Sequence, residues 1–130
     1  VTIGNNVTIT NATILAHDAS TKKFLGYSKV GRVDIGDDVF IGFGAIILPN
    51  TRIGNRVIVG AGTVVARDVP DNVVIGGNPF HIICTFDEYL EKNRCNMENG
   101  PVYHTLWSEK SEEEKQHMYE ELKGKIGYDL

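Results

Sequence analysis

Branched aliphatic residues return at every sixth position along much of this chain. The unbroken run is Ile35, Ile41, Ile47, Ile53, Val59 and Val65, and Ile3, Ile9 and Leu15 keep the same interval earlier. A glycine or alanine follows most of these anchors: Gly4, Gly36, Gly42, Gly54, Gly60 and Ala66. Four places after the anchors stand Val7, Thr13, Val39, Ala45, Thr51, Val57 and Thr63, all small or β-branched. A helix repeats near 3.6 residues and a strand near 2, so neither sustains a period of six. The interval predicts a unit of one short strand and one corner, with the stiff branched anchor pointing inward and the small residue after it easing the turn.

Three such units close one triangular coil, so residues eighteen apart, such as Ile41 and Val59, should stack. Sustained self-similarity of this kind marks an all-β solenoid, a parallel β-helix whose stability accumulates coil by coil. Residues 1–17 read as about one coil and residues 33–68 as two more. Between them, residues 18–32 break the rhythm and form an insertion loop, with Phe24 and Leu25 as its only strong apolar pair. Long loops on a regular scaffold tend to carry function. From Val69 the segment VPDNVVIGGNP loosens into a closing coil, with Pro70 and Pro79 marking turns. The repeat domain is thus 1–83 and the remainder, 84–130, a C-terminal helical extension. There, Thr85 with Glu88 and Ser111 with Glu114 read as capping boxes. They predict a short helix over 87–93 and a second to about Lys123, with Met118, Tyr119, Leu122 and Ile126 on one face that packs. Trp107 is expected to pack as well, and His104 and His117 to face solvent.

Composition narrows the partners. The chain has 130 residues and a net charge of −4, which gives no basic footprint for nucleic acid. No apolar run reaches the ~20 residues of a membrane span, and no signal-peptide pattern opens the chain. Cys84 and Cys95 fit no zinc signature. They read as free thiols of a cytoplasmic protein, a disulfide being the alternative. The chain opens at Val1, already inside a repeat, which is expected of a fragment or of a naturally short member of its class.

The segments ILAHDAS (14–20) and VDIGDDVFIGFGAIILPNTRIGNRVIVGAGTVVARDVPDNVVIGGNP (33–79) resemble the hexapeptide-repeat acyltransferases. Within that group the resemblance is to bacterial glycan O-acetyltransferases of the galactoside, maltose and capsule type. It implies that the coil is left-handed. It also implies a homotrimer with active sites between subunits, acetyl-CoA as co-substrate, and a saccharide or glycan hydroxyl as acceptor.

ILAHD carries the family's catalytic histidine onto His17. Proton removal from an attacking hydroxyl suits a group that titrates near neutrality. Without the resemblance, His17 reads as a polar loop residue. Asp18 either orients that imidazole or begins the loop as a turn residue. Asn11, one repeat earlier, either binds the acceptor or serves as a corner. Lys22 and Tyr27 on the insertion loop are candidate acceptor contacts, or they keep the loop soluble. For the donor, the resemblance points to the turns holding Gly42, Phe43 and Gly44, and Gly60, Ala61 and Gly62, whose backbone N–H groups would face the thioester and its arm. Arg67 and His81 occupy places where relatives carry cations for the coenzyme phosphates. Arg67 keeps the charge, and His81 is a poor substitute for a fixed one. Phe43 and Phe80 replace smaller family residues.

Two other readings compete. A γ-carbonic-anhydrase-like metal enzyme shares the fold, but catalytic zinc needs three ligands, and His17 is the only histidine in the regular coils. The other is a non-catalytic assembly module, motivated by Phe43 and His81.

Overall fold

A computed structural model describes residues 1–130. By internal contacts the chain forms two units, Val1–Tyr89 and Leu90–Leu130.

The first unit is built from strands of two to five residues. The first coil supplies β1 (Thr2–Ile3), β2 (Thr8–Ile9) and β3 (Thr13–Ile14). Strand β4 (His17–Asp18), helix α1 (Lys22–Leu25) and β5 (Lys29–Val30) follow. Then come β6 (Val33–Ile35), β7 (Val39–Ile41), β8 (Ile46–Ile47), β9 (Thr51–Ile53), β10 (Val57–Val59) and β11 (Val64–Val65). Strands β12 (Val73–Gly76) and β13 (His81–Thr85) close the unit.

The chain visits three parallel sheets in rotation. The first sheet runs β1-β6-β9, the second β2-β7-β10-β12 and the third β3-β8-β11. Val59 stacks on Ile41 and Ile53 on Ile35, eighteen residues apart as the period requires. Ile35 and Ile41 in turn stack on Ile3 and Ile9, thirty-two residues earlier, so the loop between adds fourteen. Strand β13 returns antiparallel on β12 and covers the outer edge of the second sheet.

Each repeat sends two side chains inward. The anchors Ile41, Ile47, Ile53, Val59 and Val65 are fully buried, and so are Val33, Ala45, Val57 and Thr63 at the alternate inward positions. The inward threonines satisfy their hydroxyls locally: Thr51 Oγ1 donates to the Leu48 carbonyl at 2.7 Å and Thr63 Oγ1 to that of Gly60 at 2.6 Å. Ile3 and Ile9 keep the register of the first coil but remain partly exposed.

The glycines after the anchors are required by contact, not by conformation. A Cβ on Gly36 would lie 2.4 Å from Asn55 Oδ1 and 2.8 Å from the Gly54 carbonyl oxygen. Gly4 and Gly54 meet Asp37 and Asp71 in the same way. Positive φ is needed two residues later, at Asp38, Arg56, Gly44 and Gly62. The expectation that the first glycine eases the turn is therefore corrected: it makes room for the next coil.

The insertion is a two-stranded excursion. Strands β4 and β5 pair antiparallel, His17 with Val30 and Asp18 with Lys29, and α1 crowns the tip.

Helix α2 (Phe86–Asn99) is longer than the capping box alone suggested, and the Glu88 N–H does donate to Thr85 Oγ1, at 3.1 Å. In the second unit, Ser111 caps α3 (Glu112–Glu121) by accepting from the Glu114 N–H. Met118 is buried, whereas Tyr119 is exposed and Ile126 lies beyond the helix end, so the expected four-residue packing face is not formed. Trp107 is also exposed, beneath the Lys115 ammonium at 5.3 Å. Lys110 is the buried cation of this unit, paired with Asp129 at 2.9 Å and donating to the Thr105 carbonyl.

Two alanine substitutions separate the two glycine classes. Gly36→Ala should cost about 1–3 kcal/mol by overpacking. Gly44→Ala meets open space but sits at φ 72°, and should cost about 1–2 kcal/mol through left-handed strain. Urea midpoints measure both. An unaltered midpoint for Gly36→Ala would mean that the coil spacing is slack.

Candidate functional site

The three corners of the coil differ in what becomes of their backbone N–H groups. At the first corner each coil is capped by the next. The Asn5 N–H donates to Asp37 Oδ1 at 2.7 Å, the Asp37 N–H to Asn55 Oδ1 at 2.8 Å, and the Asn55 N–H to Asp71 Oδ1 at 2.7 Å. Short Asx side chains are suited to such backbone capping.

One repeat on, the equivalent residues at the second corner are Asn11, Phe43 and Ala61. No Asx side chain stands above Asn11 or Phe43 to accept, because their successors in the column are Phe43 and Ala61. The neighbouring amides are spent within the solenoid. Gly42 donates to Val59, Gly44 to Asn11, Gly60 to Ile75 and Gly62 to Phe43, at 2.8–3.1 Å. The N–H groups of Asn11, Phe43 and Ala61 have no acceptor in the chain, so one free donor per coil lines this corner. All three residues are exposed. The second corner thus differs from the first in donor supply, although both contain glycines of the same pattern.

The third corner, at the far edge of the third sheet, carries Pro49 and Arg67 in successive coils, and His17 just where the chain leaves the first coil for the excursion. Ile14 pairs with Ile47 and Ile47 with Val65, so Ile14 takes the inward place expected of Leu15, and Gly31 rather than His17 lies against Pro49. His17 is exposed on β4. Arg67 is exposed, and its guanidinium lies 3.8 Å over the ring of Phe80, which is buried. His81 is exposed on β13 with its imidazole against Gly77.

The Asp18 carboxylate is held by Lys29 and Ser20, not by His17. Oδ2 pairs with Lys29 Nζ at 2.7 Å and Oδ1 accepts from the Ser20 N–H at 2.8 Å. These bonds, that from Lys29 the largest, pull its pKa down to about 2. Asp18 and Lys29 line a cleft of about 480 Å³ with Leu15, Leu48, Pro49 and Asn50. Lys22 and Tyr27 stand exposed at the tip of the excursion, where Thr21 Oγ1 donates to the Tyr27 carbonyl. Phe43 projects outward and is 64% exposed.

One copy of the chain therefore presents the amide column at the second corner and His17 and Arg67 at the third, on opposite edges of the third sheet. Sequence reasoning had singled out Asn11, Phe43 and Ala61 separately. Their common property, an uncapped amide, was visible only in that no Asx follows Asn11 or Phe43 in the column. Lys29 was missed, because its only signal was a partner for Asp18 across an unrecognised hairpin.

Residues 32–67 match the family described as bacterial transferase hexapeptide (six repeats). This segment is a hexapeptide-repeat region of the bacterial transferase type. It is 48% identical over 97 residues to protein CapG of Staphylococcus aureus, covering 71% of this chain and 56% of that one. It is 43% identical over 79 residues to the galactoside O-acetyltransferase of Lactococcus lactis, covering 61% and 37% respectively. Among solved structures, a galactoside acetyltransferase in complex with coenzyme A superposes with a TM-score of 0.61 and 31% identity, covering 68% of this chain and 46% of that one. The chain thus spans about half or less of the length of these relatives. No helix is long and apolar enough to cross a membrane. Cys84 and Cys95 are free. No group of three or more His, Cys, Asp and Glu side chains is placed to hold a metal ion.

The Asp18–Lys29 pair should pin the excursion at its base. Because the folded pKa lies below the ordinary 3.8, this contribution is present above that value and is lost as pH falls toward 2. At pH 7, Asp18→Asn should accelerate tryptic cleavage after Lys22 and Lys23. An unchanged cleavage rate would mean that the pair does not hold the hairpin.

Proposed function

We propose that this chain is the repeat core of an acetyltransferase that moves an acetyl group from acetyl-CoA to a sugar hydroxyl, on left-handed coils assembled as a trimer. The observation that carries the reading is the pair of corners flanking the third sheet. One offers an N–H without a partner in each coil. The other offers an imidazole where the chain leaves the first coil and a guanidinium in the third.

A thioester donor needs these parts in this order. The coenzyme arm lies along the N–H column, and a free amide there stabilises the negative charge that develops on the thioester oxygen. His17 takes the proton from the acceptor hydroxyl as its oxygen attacks the carbonyl carbon. The C–O bond forms, the C–S bond breaks, and the proton passes to the departing sulfur. Arg67 meets phosphate at the nucleotide end. Coils spaced about 4.8 Å apart put two coil steps, about 10 Å, between the levels of His17 and Arg67. The coenzyme A bound by the similar galactoside acetyltransferase supports this donor, and the galactoside O-acetyltransferase of Lactococcus lactis supports a sugar acceptor.

The two corners complete one site only when a second copy brings its third corner to the first copy's second corner. Such a contact is heterologous and closes as a ring. The outer sheet faces favour it. The first sheet shows water a polar row, Thr2, Asp34 and Arg52, whereas beyond the first-coil threonines Thr8 and Thr13 the second shows Phe40 and Ile58 and the third Ile46 and Val64. Phe40 and Ile46 are exposed in the single copy.

His17→Ala should lower acetyl transfer by about 10²–10⁴-fold while CoA still binds. Phe43→Pro, which deletes one amide donor, should also be inactive. Mixing the two inactive proteins under exchange of subunits should restore part of the activity, because mixed assemblies regenerate complete sites. Undiminished transfer by His17→Ala would refute the base assignment, and no recovery on mixing would place both corners' work within one copy.

A further inference from the structure

The stacking of Arg67 on Phe80 assigns a task to a residue that nothing so far places in the site. We infer that Phe80 is a positioning residue for the coenzyme: its buried ring holds the Arg67 guanidinium flat and aimed at phosphate. The inference rests on the donor site proposed above.

Four observations lead to it. The guanidinium carbon lies 3.8 Å from the centroid of the Phe80 ring, the shortest of the cation–aromatic contacts in the chain. Phe80 is only 3% exposed and belongs to the aliphatic core of the solenoid, so its ring is a fixed platform and not a mobile cover. Arg67 itself is exposed, and none of the ion pairs in the chain includes it. Its charge is therefore uncompensated and its plane is set. Finally, His81, the next candidate for an anion contact, rests on Gly77 and is not a fixed cation.

A free arginine loses rotamer freedom when it grips an anion. Stacking on an aromatic face removes part of that freedom in advance and leaves the N–H edge of the fork open to phosphate oxygens. The aromatic residue at position 80 would thereby let one arginine do the work of two surface cations.

Calorimetric titration with CoA tests this on four proteins: the unaltered chain, Phe80→Leu, Arg67→Gln and the double variant. Phe80→Leu keeps an apolar side chain in the core but removes the π face. It should raise the Kd for CoA about tenfold, and Arg67→Gln should raise it at least as much. The double variant should bind no more weakly than Arg67→Gln alone, because the ring acts through the guanidinium. Phe80→Tyr, which keeps the π face, should bind like the unaltered chain. If Phe80→Leu lowers the melting temperature but leaves the Kd unchanged, or if its effect persists in full on the Arg67→Gln background, the ring is only a core residue and the inference fails. If the unaltered chain does not bind CoA, the donor site itself fails, and this inference with it.

Discussion

Everything in the repeat unit follows from how closely one coil lies on the next. Backbone hydrogen bonds tie each coil to its neighbour along all three sheets, and this fixes the separation near 4.8 Å. At that distance the interior accepts only side chains that repeat in register. Hence the column Ile9, Ile41, Val59, Ile75 on the second sheet, and hence threonine as the only inward polar residue. The same closeness leaves no room for a Cβ at Gly36 or Gly54, where an Asx oxygen of the following coil already stands. With strands and interior so constrained, the corners are where composition can vary at low cost.

The corners have accordingly diverged. The first spends its amides on an Asx ladder and is structural. The second has no such ladder and keeps a row of donors without a partner in the chain. The third holds the excursion, His17 and Arg67. Chemistry on this scaffold is then a matter of which atoms the ladder leaves unused. In the proposed reading a second copy completes the site, because neighbouring corners of a triangle face different directions. The apolar side chains Phe40, Ile58, Ile46 and Val64 on two of the three outer faces fit that proposal.

The fold was legible because its cause is periodic. Ile35 to Val65 at steps of six states both the strand and the coil, and the eighteen-residue stacking of Ile41 on Val59 follows from it. His17 was legible as the point where that period stops. The tail was less so. Its capping boxes at Thr85 and Ser111 were readable because capping is local. Whether Tyr119 packs depends on tertiary contacts that local pattern does not encode. The ion-pair partner of Asp18 was hidden for the same reason: Lys29, eleven residues on, reaches it only after the excursion folds back as a hairpin. Phe80 read as an intrusive large residue, and only three dimensions show Arg67 lying on it.

The central claim is that the unpaired amides of the second corner receive the donor. Amide NMR during titration with CoA tests it most directly. The account predicts that the Phe43 and Ala61 resonances shift with a common saturation curve, while the capped amides of Asp37 and Asn55 stay in place. Shifts confined to the Asp37–Asn55 corner, or no shift at Phe43 and Ala61 when CoA binds, would contradict it.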